Sequence, residues 1–138
     1  MAGVVMDKAE ERALAFLINK AGYTVRSVTL RLFKNDITPI EADVVGTYTE
    51  ATFTGYAAIP MPSANWTISG TTPTTAVGSQ QTFASTANQT LQNIYGWYIT
   101  TDTDNELVFA FRFSDAPRPI QNNGDQIIII ARLTAANG

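Results

Sequence analysis

Between Ala51 and Thr101 the chain carries no Lys, Arg, Asp or Glu, yet it is rich in Thr, Ser, Gln, Asn, Gly and aromatic residues. A segment that avoids charge while keeping β-formers points to an all-β fold with neutral polar side chains on its outward faces. Two readings of it stand side by side. It is either the hydroxyl-decorated face of a sheet, or a surface packed against other protein, because the centres of interfaces are depleted in charge. A neutral surface left in solvent is a solubility liability.

The hydrophobic period agrees with strands. Val28, Leu30 and Leu32 alternate with Thr29, Arg31 and Phe33, which predicts a strand ending at Lys34-Asn35-Asp36. The stretch from Thr38 to Gly46, with Pro39 and mixed acids, is expected to be a loop. Further strands are predicted over Thr52–Ile59, closed by Pro60-Met61-Pro62, over Asn65–Ser69 and over Gln80–Ala84. A long one follows over Leu91–Thr100, where Gly96 suggests a bulge or a close backbone approach. Leu107–Phe113 is the next, and Gln126–Thr134 the last, launched from the Asn122-Asn123-Gly124-Asp125 turn. Short strands at regular spacing, separated by Gly, Pro and Asn, indicate an antiparallel β-sandwich or jelly roll.

One segment reads as helix. From Asp7 the chain runs Asp-Lys-Ala-Glu-Glu-Arg-Ala-Leu-Ala-Phe-Leu-Ile-Asn-Lys-Ala-Gly22, with Asp7 as N-cap, Glu10 completing a capping box and Gly22 as the stop. Ala13, Leu14, Leu17, Ile18 and Ala21 share a face, with Phe16 at its edge, and that face needs a cover from the domain or from another subunit. The expected organisation is an N-terminal arm and helix over 1–22 and a β-sandwich over 23–138, forming one domain.

The inventory of reactive side chains narrows the function. Histidine and cysteine are both absent, which excludes disulfide frameworks, thiolate nucleophiles, His or Cys zinc sites and Ser-His-Asp triads. A net charge of −3 without a basic patch argues against nucleic acid. No apolar run approaches the ~20 residues that span a bilayer. The first residues lack the basic start and long apolar block of a secretory signal, so synthesis and folding in a cytoplasm are expected.

The remaining candidates are each met by a plainer explanation. Asp102-Thr-Asp-Asn-Glu106 has alternating acids, but the sixth and twelfth positions of a calcium loop would be Leu107 and Phe113, so an acidic turn accounts for it. Asn65-Trp66-Thr67 and Asn88-Gln89-Thr90 match the glycosylation pattern, which carries no meaning without a secretory route. Tyr95, Trp97 and Tyr98, with Trp66, could form a sugar-stacking platform or could be core. Phe109, Phe111 and Phe113 form a stripe suited to core or interface, and Glu50 and Asp115 are isolated acids beside turns. No catalytic, cofactor or metal residue is expected. Partner contacts are expected at the apolar Val4, Val5 and Met6, which otherwise read as a frayed end, and at loop positions Pro39 and Arg118.

Five segments carry a resemblance. They are Val28-Thr-Leu-Arg-Leu-Phe-Lys-Asn-Asp-Ile-Thr-Pro39, Tyr48-Thr-Glu-Ala-Thr-Phe-Thr-Gly-Tyr-Ala57, Gln81-Thr-Phe83, Ile94-Tyr-Gly-Trp-Tyr98 and Ile120-Gln-Asn-Asn-Gly-Asp-Gln-Ile127. In this order the chain resembles small structural proteins encoded with the head genes of tailed bacteriophages, among them capsid decoration or cement proteins. The resemblance runs from about Ala9 to Leu133 and rests on strand and turn signatures, none of them catalytic. It implies a jelly-roll β-sandwich with an N-terminal helix or arm, a homotrimer, and the major capsid protein as partner on the surface of the virion. Adhesion would then be the mechanism. The alternative is a tail, receptor-binding or carbohydrate-binding module, with Trp97 or Trp66 exposed. A hydrolase would need two acids converging in one pocket.

Overall fold

The computed structural model describes residues 3–17, 27–70 and 74–134. In chain order its elements are β1 (Val4–Val5), α1 (Asp7–Leu17), β2 (Val28–Phe33), β3 (Ile59–Met61), β4 (Trp66–Ser69), β5 (Thr75–Gly78) and β6 (Gln81–Ala84). They continue with β7 (Gln92–Ile94), β8 (Gly96–Thr101), β9 (Leu107–Arg112), β10 (Arg118–Ile120), β11 (Gln126–Ile129) and β12 (Arg132–Thr134). All the strand pairings are antiparallel. The fold is therefore mostly β, with one short N-terminal helix.

Five strands form the central sheet, in the order β1-β9-β8-β2-β3. Its middle strand, β8, is buried along its whole length. Trp97 and Ile99 point to one face, where they pack with Leu30, Leu32 and Phe109. Tyr98 points to the other and packs with Met6, Phe33, Tyr48, Leu107 and Ala110. Both faces of the sheet are thus covered, which is why Gly-Trp-Tyr-Ile-Thr-Thr lacks the polar alternation of a half-exposed strand.

The first face is covered by a long ribbon. Residues 75–94 run antiparallel to residues 118–134, through β5–β12, β6–β11 and β7–β10 in turn. Phe83, Ile94, Ile120, Ile127, Ile129 and Ala131 project from it into the same core as Leu30 and Trp97. Backbone bonds hold the ribbon together between its strands: Ser85 N–H donates to Asp125 O at 2.8 Å and Gln89 N–H to Gln121 O at 2.8 Å. The predicted Asn122–Asp125 turn sits here, with Gly124 at φ 91°, a conformation that costs glycine little. It joins β10 to β11, which pair with β7 and β6 rather than with each other, so it is not a hairpin turn.

Several predicted strands are divided differently. Leu91–Thr100 breaks at Tyr95 into β7, in the ribbon, and β8, in the central sheet. Gly96 is the close approach that the sequence suggests, since a Cβ there would meet the Phe111 carbonyl and the Phe33 ring. Gln126–Thr134 likewise breaks into β11 and β12, while β5 and β10 are strands that the sequence reading did not predict. Thr52–Ile59 is mostly not a strand. Its amides at Thr52 and Thr54 donate to the side-chain oxygens of Gln92 and Gln89, both at 2.8 Å, so side-chain amides satisfy the backbone that a neighbouring strand would otherwise hold. The strand, β3, begins only at Ile59 and includes Pro60, which an edge strand tolerates.

At the N-terminus the helix starts at Asp7, with Met6 O accepting from Ala9 and Glu10, so Asp7 lies one residue inside the expected cap. The side chains of Ala13 and Leu14 are exposed, and Leu14 retains 65% of its surface. The side chain of Leu17, and residues Ile18, Ala21 and Gly22, lie outside what is described. The arm is no frayed end, because Val4 and Val5 pair with Ala110 and Phe109 as β1.

Candidate functional site

The residues expected to meet a partner are mostly occupied within the chain. Met6 is buried in the second core, which corrects its reading as a surface contact: its flexible, unbranched side chain packs with Leu107, Ala110 and Tyr98. Pro39 is also buried. Arg118 lies in β10 rather than in an exposed loop, where its Nε donates to Asp115 Oδ1 at 2.9 Å and its guanidinium sits 3.9 Å from the Phe113 ring centre. Val4 and Val5 are half-buried in β1. That pair keeps part of its surface at the sheet edge, as does Arg118, whose side chain is 36% exposed.

The aromatic candidates are core. Trp97 stacks between Phe109 and Phe111 at 5.3 and 5.7 Å and retains 4% exposure. Trp66 is half-buried and ties its indole N–H to Met61 O at 3.1 Å. Trp97 presents no open face for a sugar ring.

Among the acids, Glu50 is the best held. Arg31 Nη1 donates to both its oxygens, at 2.9 and 3.0 Å, and the Tyr56 hydroxyl donates to Oε1 at 2.8 Å. Arg31 Nε also donates to Thr100 Oγ1, and the Leu32 amide donates to the Tyr56 oxygen. This chain of bonds clasps the segment after Tyr48 onto the central sheet. Burial pushes the Tyr56 phenol well above its ordinary pKa of 10.0, and the Glu50 charge adds to the effect. Tyr98 is raised to about 12, chiefly by burial, with the Glu50 charge adding and Arg31 opposing. Tyr48 is raised by burial and by its bond to Asp43 Oδ2 at 2.7 Å.

Asp43 and Glu106 line one shallow cleft with Lys8, Val44, Val45 and Leu107. Asp43 Oδ2 is already an acceptor there for both Tyr48 and the Ile40 amide, which makes it a brace for the loop. The acidic turn after β8 is held by Asp102 N–H to Ser27 O and Glu106 N–H to Thr101 Oγ1. Among the described residues no group of three or more Asp or Glu could hold a metal ion, and no helix is long and apolar enough to cross a membrane.

What the surface does offer is uncharged and apolar. Ile128, 45% exposed, stands on the outer side of the ribbon opposite Thr82, between the buried Ile127 and Ile129, and Ile130, 48% exposed, follows just beyond β11. Leu91, 49% exposed, precedes β7, and Ile68, 67% exposed, stands on β4. The signal for Ile128 and Ile130 is present in the run Ile127–Ile130, because a strand with period two can bury only alternate residues. Beside them an apolar trough opens between the edge of the central sheet and β12, lined by Gly3, Phe111, Ile130, Arg132 and Thr134. The sequence matches no protein-family model and no curated protein.

Proposed function

We propose that the protein is an adhesive structural protein of a tailed-bacteriophage head, a decoration or cement protein that binds the capsid surface, bridges major capsid subunits and performs no catalysis. The observation that carries this reading is the set of exposed apolar side chains Leu91, Ile128 and Ile130 standing among Thr, Ser, Gln and Ala of the ribbon. Each of these side chains keeps about half of its surface, so burying it in a contact contributes on the order of 1 kcal/mol. Three of them, at about 3 kcal/mol together, fall short of the 4–15 kcal/mol or so that association costs in lost freedom. A surface of this strength suits repeated use, where a self-assembled oligomer, a trimer by the resemblance, engages several shell subunits at high effective concentration.

The test is co-sedimentation of the purified protein with head shells of the phage that encodes it, prepared without it. Expected is saturable binding that resists added salt, because the contacts are uncharged. The double variant Ile128→Lys, Ile130→Lys should bind at least tenfold more weakly. Shells that stay bare at micromolar protein overturn the proposal.

A further inference from the structure

We infer that the outer edge of β4 pairs with the same edge of a second copy of this chain, joining two three-stranded sheets into one of six strands. In the order β12-β5-β4, nothing among the described residues pairs with the far side of β4. The pairing pattern shows which groups that side presents. Ser79 N–H donates to Asn65 O, and Gly78 N–H donates to Ala131 O on the opposite side of β5. Alternation along the ladder then directs Thr67 and Ser69 toward β5, and the backbone C=O of Trp66 and both backbone groups of Ile68 outward.

Such an edge is normally protected by a charge, a proline or a bulge. Three other edges of this molecule have that protection, while β1, β6, β7 and β11 each rest on a single partner without it. β3 contains Pro60, β12 carries Arg132, and β10 carries Arg118 and Pro119. β4 reads Trp-Thr-Ile-Ser and has none of the three. Thr67 and Ile68 face opposite sides of the strand and both are exposed, so β4 projects beyond the core that covers its neighbours.

The occupant follows from this chemistry. An antiparallel two-fold pairing brings each strand against its own sequence, and a neutral strand meets itself without the like-charge repulsion that a charged edge would suffer. Ile68 lies mid-strand, so the two copies of Ile68 come together near the axis. There they close over an apolar furrow formed by Val5, Ile68, Ala76 and Leu133. The pairing joins single chains, or members of two neighbouring oligomers, and it stands independently of shell binding.

The experiment is the solution mass of the full-length protein by light scattering after size exclusion, for the native chain and for Ile68→Lys. Ile68 is exposed, so the variant should keep its circular dichroism, and Ile40→Lys, at another exposed side chain, serves as a control outside the furrow. Expected is an even-numbered assembly whose mass Ile68→Lys halves and Ile40→Lys leaves alone. A native monomer, an odd-numbered assembly, or a mass that Ile68→Lys does not change overturns the inference. Each of those results leaves shell binding to be judged by its own sedimentation test.

Discussion

Replacing Tyr56 with phenylalanine removes one oxygen that serves two partners. It accepts the Leu32 amide at 3.1 Å and donates to Glu50 Oε1 at 2.8 Å. Leu32 is fully buried, so its orphaned amide has no water to turn to, and an unsatisfied buried donor costs about 1–3 kcal/mol. Glu50 is different. Its side chain is 34% exposed and keeps Arg31, so water replaces the phenol and the loss adds about 0.5 kcal/mol. The ring stays, with its contacts to Phe53 and Phe83 at 5.3 and 5.6 Å, and no cavity forms. The sum is about 2.5 kcal/mol. For a chain of 138 residues, that lowers the melting temperature by about 9 °C. Urea unfolding of Tyr56→Phe should show an earlier midpoint at an unchanged slope. A loss below about 0.5 kcal/mol would mean that the Leu32 amide does not depend on Tyr56, and the clasp as described would be refuted.

Three further outcomes are expected. Gly96→Ala, whose Cβ would meet the Phe111 carbonyl and the Phe33 ring, should destabilise by about 1–3 kcal/mol in the same assay, and a neutral result removes the close approach. Tyr48, Tyr56 and Tyr98 hold their protons more tightly when folded than at the ordinary 10.0, so above that pH the native state binds more protons than the unfolded one. Stability should be level below pH 10 and fall toward pH 12, by up to about 1.4 kcal/mol per unit for each tyrosine; urea midpoints that match at pH 9 and 11 contradict this. Asp125 is held below its ordinary 3.8 by the amides of Asn122 and Gln121, so its contribution is present above that pH and lost as the pH falls through the lowered value. Amide exchange at Gln121 and Asn122 should quicken in Asp125→Asn, and unchanged protection would show that the carboxylate does not hold the turn.

The sequence was most informative where one physical rule acts alone. β2 and β9 follow period two closely, and both emerge within a residue of their predicted ends. The rule failed where a strand changes sheets without a change in composition, as at Tyr95 and between Ile129 and Arg132. Nothing local marks such a crossing; the partner strand decides it. Thr52–Tyr56 misled for a different reason, because Gln89 and Gln92 are remote in sequence and their amides stand in for a ladder. Among the expected contacts, Met6 and Pro39 were read as surface because they lie outside regular elements, yet such residues are drawn inside wherever a sheet needs a lid. The neutrality of residues 51–101 was plain from the start. Which isoleucines of the later run 127–130 would stand outside depended on register, which only the paired ribbon reveals.

The way the ribbon is wired also governs how the molecule can be made. Residues 75–94 find their mates only at residues 118–134, and Val4 waits for Ala110. On a ribosome adding about 5–20 residues each second, β2, β3, β8, β4 and β5 can pair early, but residues 75–94 wait roughly one to five seconds more before residue 118 is even made. The ribbon therefore closes last, over a central sheet whose middle strands are already joined.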